Sequence, residues 1–400
     1  MTSAGTTPSA PGAGGALFTR AFIVLTLAEL AYFSAAGLLI PVTPLFAAGP
    51  LRAGEVGVGL TVGAFSVTAL LLRPFAGRAA DRRGRRPLLL AGALLFALAT
   101  AAHVLAADLL LLILLRLLLG VAEAFFFVAG FAAVADLAPA GRTGEALSFN
   151  SLALYLGIAF GPLIGETLLA AGGFNLAWLG GAGLALLATL LVLLMPEPAA
   201  AQERRIDAPL RLICRAALAP SLGLFTGIAG VAGFFTFVAL HARDLGMTGA
   251  AGVLLVYGLV VVVVRVLFAR LPDRLPPYRL AAAALSMLAI GLLTAALLRS
   301  EVGLYAGAVI MAVGVAFTTP AFFAAIFARV PVSERGAASA TASIFIDLAF
   351  GGGPFLLGLV AGAADIPAAF AAGALLALGG AVGTGIAGLP RRRAATQPAK

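Results

Sequence analysis

Apolar residues in this chain do not alternate with polar ones. They run in stretches of about 20 or more, divided by short polar breaks. A helix of roughly 20 apolar residues is long enough to cross a bilayer. Twelve such runs are present, at 17–42, 55–77, 87–106, 108–135, 145–170, 174–195, 217–240, 249–270, 278–298, 302–328, 337–362 and 367–389. The period-2 pattern of barrel strands is missing, and backbone groups in lipid must bond within their own segment, so these runs predict helices. Breaks as short as Asp108 or Gly172-Gly173 leave room only for tight antiparallel hairpins. The longest internal break, 196–216, follows the sixth run. It reads as a linker between a half at 17–195 and a half at 217–389. Residues 1–16, rich in Ser, Thr, Pro, Gly and Ala, predict a disordered tail, and 390–400 a basic tail. Arg20 followed by an apolar run resembles the start of a signal peptide, but the run is too long for one and reads as a first membrane helix.

Composition supports this pattern. Hydrophobic residues make up 62% of the chain and charged residues 11%, against about 25% charged in ordinary soluble proteins. The net charge of +9 is unevenly placed. Of the 26 Lys and Arg, only Arg52, Arg243 and Arg299 fall on one side of the predicted spans, and Arg73, Arg116 and Arg265 lie within them. The remaining twenty fall on the other side. Positive charge collects on the cytoplasmic face, so both termini are expected there, in an inner cell membrane. The charge then reflects the lipid bilayer rather than nucleic acid. One cysteine, Cys214, cannot form an internal disulfide, and two histidines leave little for a metal site. Phosphate-cradling and zinc-hydrolase motifs are missing from the sequence. The expectation is a non-enzymatic protein with no cofactor and no metal.

One register relates the halves. Arg73, Arg78, Asp81 and Arg82 recur 192 residues later as Arg265, Arg270, Asp273 and Arg274. The same offset takes Pro139 to Pro331 and Gly161-Pro162 to Gly353-Pro354. The expected fold class is therefore an all-α integral membrane protein with 12 transmembrane helices in two pseudo-symmetric six-helix halves. Parallel repeats of this kind place a substrate site between them near the bilayer midplane.

The stretch Gly77-x-x-x-Asp81-Arg82-x-Gly84-Arg85-Arg86 resembles the loop 2–3 signature of the major facilitator superfamily (MFS). Arg116-x-x-x-Gly120 is similar to its span-four motif. Gly157-x-x-x-Gly161-Pro162-x-x-Gly165 resembles its drug:proton antiporter branch, except that Glu166 stands where the last Gly is common. The resemblance implies a cytoplasmic gate formed by the loop 2–3 residues, latching the halves in the outward-open state. Asp273 and Arg274 would form its second copy. There Pro276, Pro277 and Tyr278 replace Gly84, Arg85 and Arg86, so the gate is expected to be asymmetric. Gly157, Gly161, Pro162, Gly165, Gly353 and Pro354 are the expected hinge and packing positions. The resemblance further implies that spans one, four, seven and ten line a central cavity.

Ionisable residues within spans cost about 2.5–3.5 kcal/mol each on insertion scales and are functional candidates. Glu29, Glu123 and Asp347 are the candidate proton carriers, with Arg116 as a counter-charge. Arg116 and Glu123 are seven residues apart and share a helix face, with Gly120 between them. Tyr32, Phe33, Gly120, Phe127 and Phe234 are candidate cavity residues. Arg73 and Arg265 are expected to act structurally, at seams between helices 2 and 11 and helices 8 and 5. Glu166, near the outer end of its span, is expected to be solvated. The expected function is proton-coupled efflux of a small hydrophobic molecule, such as a drug or secondary metabolite, by a monomer. The alternatives are a proton-coupled importer of a sugar, organic acid or other metabolite and, more remotely, a non-transporting sensor or scaffold.

Overall fold

The computed structural model describes residues 16–139, 142–197, 213–331 and 334–388, and these contain helices, short turns and no strand. The first helices are α1 (Arg20–Ala48), α2 (Gly54–Arg83), α3 (Arg85–Ala102) and α4 (Leu109–Leu137). A helical run, Thr143–Leu193, then breaks at Gly172 and Gly173, whose dihedrals are non-helical. We treat it as α5 (143–171) and α6 (174–193). The chain reverses there: a Cβ placed on Gly180 would meet the side chain of Leu168, which one continuous helix would hold a dozen residues away. The second set is α7 (Arg215–Asp244), α8 (Ala251–Leu267), α9 (Pro277–Leu297), α10 (Glu301–Phe327), α11 (Arg335–Ala363) and α12 (Ile366–Ala387). Helix α8, at 17 residues, is the short one, and a single turn at Leu271–Arg274 follows it.

The polar residues at the breaks act as helix starts. Thr19, Asp108, Ser300 and Asp365 each accept a hydrogen bond from the backbone N–H three residues on. This satisfies donors that lipid cannot. The sequence places a basic loop between spans two and three, whereas α2 continues through it to Arg83. The interruption is Gly84 alone, at φ 96°, a conformation open to glycine. The Glu197 carboxylate then accepts from the N–H groups of Arg85 (2.5 Å) and Arg86 (3.0 Å), capping α3.

Leu71, Leu98, Leu190, Leu267 and Leu375 point outward and are exposed, as lipid-facing side chains are. Within each half, small residues let helices touch. A Cβ on Gly161 would strike the backbone of Ser34, Gly37 and Leu38 in α1. Its repeat counterpart Gly353 faces Ala229 of α7, which stands 192 residues after Gly37. Gly157 and Gly165 also pack α5 onto α1, against Phe33 and Leu38, and Pro162 is buried beside them. Of the expected hinge and packing positions, Gly157, Gly161, Pro162, Gly165 and Gly353 thus pack helices within a half, whereas Pro354 lies on the seam between the halves.

The halves meet along α2–α11 and α5–α8. Gly59 and Gly63 of α2 face the carbonyls of Pro354 and Gly351, and Gly358 faces that of Glu55. On the other seam Gly258 packs on Ala159. Ser66 against Gly351 and Gly258 against Ala159 are the same contact displaced by 192 residues. Glu166 is not solvated: its carboxylate accepts from the N–H groups of Ala250 (2.8 Å) and Ala251 (3.0 Å), capping α8 across the seam. A carboxylate at a helix N-terminus meets both orphan donors and a favourable dipole. These contacts lie toward the end of the bundle opposite the one where α1 begins, here called the far end. The terminal tails and most of the expected linker fall outside the described residues.

Candidate substrate and coupling site

Three polar clusters sit inside the bundle. In the first, Glu29 of α1 is buried and accepts a hydrogen bond from the amide of Asn150 in α5. The Asn150 carbonyl in turn accepts from the hydroxyl of Thr26 (3.1 Å). Gly130 of α4 leaves the room that Glu29 occupies, since a Cβ there would lie 2.6 Å from its Oε1. Glu29 has no ion-pair partner among the described residues. It lines a cavity of about 100 Å³ with Phe33, Phe126, Phe127, Phe131 and Asn150. A buried carboxylate needs a charge-compensating partner, so a proton or a cationic group is the natural companion for Glu29.

The second cluster joins the halves. Arg73 of α2 contacts Asp347 of α11 at two points, Nε to Oδ2 at 2.5 Å and Nη2 to Oδ1 at 2.8 Å. Phe127 lies under the guanidinium, 4.7 Å from its ring centre. Glu123, one turn before Phe127, is close enough to interact electrostatically with both Arg73 and Asp347. Glu123 also accepts from the Tyr32 hydroxyl (3.1 Å), and Tyr32 stacks on Phe126 with centroids 3.8 Å apart. Tyr32 is fully buried and does not line the cavity.

Arg116 forms no ion pair with Glu29, Glu123 or Asp347 among the described residues. Its guanidinium donates to the carbonyls of Thr61 (3.2 Å) and Val62 (3.3 Å) and lies over Phe65. Gly120 faces the same helix, against Phe65 and Thr68. The shared face of Arg116 and Gly120 is thus used to pack α4 on α2. Phe234 is fully buried beside Phe235 and Phe370, within the second half. The cation beside Glu123 is Arg73, which spacing along α4 could not indicate.

The third cluster is at the end where α1 begins. Arg85 bridges Asp81 (2.6 Å) and Asp136 of α4 (3.0 Å), and Arg86 donates to the carbonyl of Leu193 (2.7 Å). Asp81 is 58% exposed, whereas Asp136 is 5% exposed. Gly77 lies near Val128 of α4, and Arg82 and Arg274 are exposed. The side chain of Asp273 lies outside the described residues. The side-chain contacts shown by the loop 2–3 residues stay inside the first half, and their backbone contacts reach Glu197 just after it. Asn150, Asp136 and Glu197 escaped the sequence reading. A lone Asn in an apolar span is the signal that singles out Asn150. The other two are acids at span ends and look like ordinary solvated charges.

Comparison with known proteins gives the same architecture. The chain is 31% identical over 360 residues to an uncharacterized MFS-type transporter of Burkholderia pseudomallei, covering 86% of each. Its fold superposes on the human organic anion transporter MFSD10 with a TM-score of 0.70 and 19% identity, covering 91% of this chain and 99% of that one. For a D-xylose-proton symporter the TM-score is 0.75 at 18% identity, with coverage of 91% and 96%. Residues 25–303 match the profile of the Major Facilitator Superfamily. The chain belongs to that superfamily and is a multi-pass secondary transporter of small molecules.

Proposed function

We propose that the protein exports small hydrophobic molecules in exchange for protons, from a cytoplasmic membrane in which both termini face the cytoplasm. The observation that carries this reading is Glu29: a buried carboxylate with no ion-pair partner among the described residues, bonded to Asn150, at the wall of an aromatic cavity. The halves 17–195 and 217–389 rock about the α2–α11 and α5–α8 seams and expose the cavity alternately to each side. A proton bound on Glu29 neutralises it, and the substrate occupies the Phe33, Phe126, Phe127 and Phe131 surface when that proton leaves. Exclusive occupancy of one site by proton or substrate yields exchange with no covalent step. Phenyl rings bind apolar and aromatic groups through burial and ring contacts, and favour a cationic group beside the carboxylate. The basic Arg78, Arg82, Arg83 and Arg86 at the end where α1 begins support the cytoplasmic placement of that end.

Cells with and without the protein, loaded with a panel of hydrophobic compounds, test the direction. Lower accumulation that an uncoupler reverses is expected. Uptake driven by the proton gradient would overturn export. Glu29→Gln is expected to retain exchange of labelled for unlabelled substrate and to lose gradient-driven accumulation.

A further inference from the structure

Arg73–Asp347 is the one ion pair joining the halves among the described residues. We propose that it is a latch on the α2–α11 seam, in which Arg73 is exchanged between carboxylates of opposite halves, Asp347 of α11 and Glu123 of α4. With Asp347 charged, the guanidinium bridges the halves past the middle of α2, nearer Arg83 than Gly54, and holds the seam from there to the far end shut. With Asp347 neutral, Arg73 falls back on Glu123 within its own half and the seam is free to part.

The geometry supports an exchange rather than a fixed pair. Asp347 is 5% exposed and Arg73 20% exposed, so neither is held by solvent alone. Phe127 supports the guanidinium face from α4, the helix that carries Glu123 one turn away. A planar cation resting on a ring can turn toward either acid without losing that contact. The groups around Asp347 are few. Helix α2 brings Arg73 and α4 brings Glu123. The ionisable residues of α7 and α10, Arg215, His241, Arg243, Asp244, Glu301 and Tyr305, lie in end turns of their helices, and α12 has only Asp365 at its cap. A change in charge on Asp347 is therefore felt mainly by Arg73.

The repeat supplies an internal control. Displaced by 192 residues, Arg73 becomes Arg265 and Asp347 comes from Tyr155. These two also meet: Arg265 Nη2 donates to the Tyr155 hydroxyl at 2.8 Å and its guanidinium lies 4.5 Å over the ring. The position equivalent to Glu123 is Val315. The same arginine is thus held by a neutral phenol on the α5–α8 seam, and a valine stands where the second acid would be. One seam responds to charge and the other does not, so opening is hinged on the α5–α8 side. The latch rests on the alternating-access reading above.

Spin labels at Glu55 and Ala364, both exposed at the far end, would report the seam directly. The measurement is made on the full chain in lipid, without substrate, across a pH series. In the otherwise unmodified chain the open population should grow as pH falls. Asp347→Asn should raise it at neutral pH by at least about tenfold, the ratio that 1.4 kcal/mol represents, and remove the pH response. Glu123→Gln should favour the shut seam, because Arg73 then has one acid left. Tyr155→Phe should leave the far-end distances unchanged. The exchanged pair Arg73→Asp with Asp347→Arg should restore the shut seam, and it guards against a variant that merely folds poorly. If Asp347→Asn leaves the distances and the pH response unaltered, or if the exchanged pair fails to restore the shut seam that Asp347→Asn opens, the latch is wrong. A seam that responds as described in a protein that moves no compound would leave the latch standing and sink the export reading instead.

Discussion

Gly63→Ala separates the seam between the halves from the packing inside them. Gly63 lies in α2, and a Cβ there would collide with the carbonyl oxygen of Gly351 and sit 3.2 Å and 3.4 Å from its carbonyl carbon and Cα. The obstacle is backbone, so it cannot rotate aside. Overpacking of this kind costs about 1–3 kcal/mol. Alanine also gains about 1 kcal/mol of helix propensity over glycine, but in both conformations alike, so that gain cancels from their ratio. What remains is a penalty on the shut far-end seam, worth roughly a 5- to 150-fold shift toward the open one at about 1.4 kcal/mol per tenfold. Gly161→Ala makes the contrast. Its Cβ would lie 2.5 Å from the Ser34 carbonyl oxygen and 2.6 Å from the Leu38 nitrogen, both in α1 of the same half. Those helices stay together in either conformation, so the clash lowers the melting temperature and leaves the ratio alone. The assay pairs far-end spin-label distances with thermal unfolding in detergent. A Gly63→Ala protein that melts like Gly161→Ala, with distances unchanged, would refute the assignment of α2–α11 as a moving seam.

Two further outcomes follow from the end clusters. Asp136→Asn removes the buried one of Arg85's two acid partners and, with Asp81 still in place, should destabilise the first half by about 1.5–3 kcal/mol. Asp81→Asn touches an exposed acid and should cost no more than about 1 kcal/mol in the same unfolding measurement. Glu166→Ala uncaps α8 from across the halves. It should widen the far-end distances while lowering stability by about 1 kcal/mol, the usual worth of such a cap.

Much of the architecture is written locally in the chain. Apolar runs specify helices because lipid leaves the backbone no other partner. The 192-residue register specifies which helices correspond, and it reaches into details such as Gly37 beside Gly161 and Ala229 beside Gly353. The site is less legible because its contacts join residues distant in sequence. The seven-residue spacing of Arg116 and Glu123 correctly places them along one helix. It says nothing of the neighbours, and α2 offers carbonyls to Arg116 while Tyr32 meets Glu123. Glu166 looks like a solvated acid at a span end until α8 is folded beside it. Gly77–Arg83 reads as a loop from its charge, yet it is helix, because a single glycine and a distant acid, Glu197, suffice to make the turn. Tyr155 passes for an ordinary aromatic. Only the repeat register, together with its contact to Arg265, identifies it as the counterpart of Asp347.

The most direct test is proton movement on addition of an exported compound. The purified protein is placed in vesicles with a trapped pH indicator, without an imposed gradient, and a compound identified from the cell assay is added outside. Proton movement opposite to the compound flux is expected, abolished by Glu29→Gln while compound exchange continues. Compound flux with no pH change, protons moving in the same direction as the compound, or an undiminished pH signal in Glu29→Gln would contradict it.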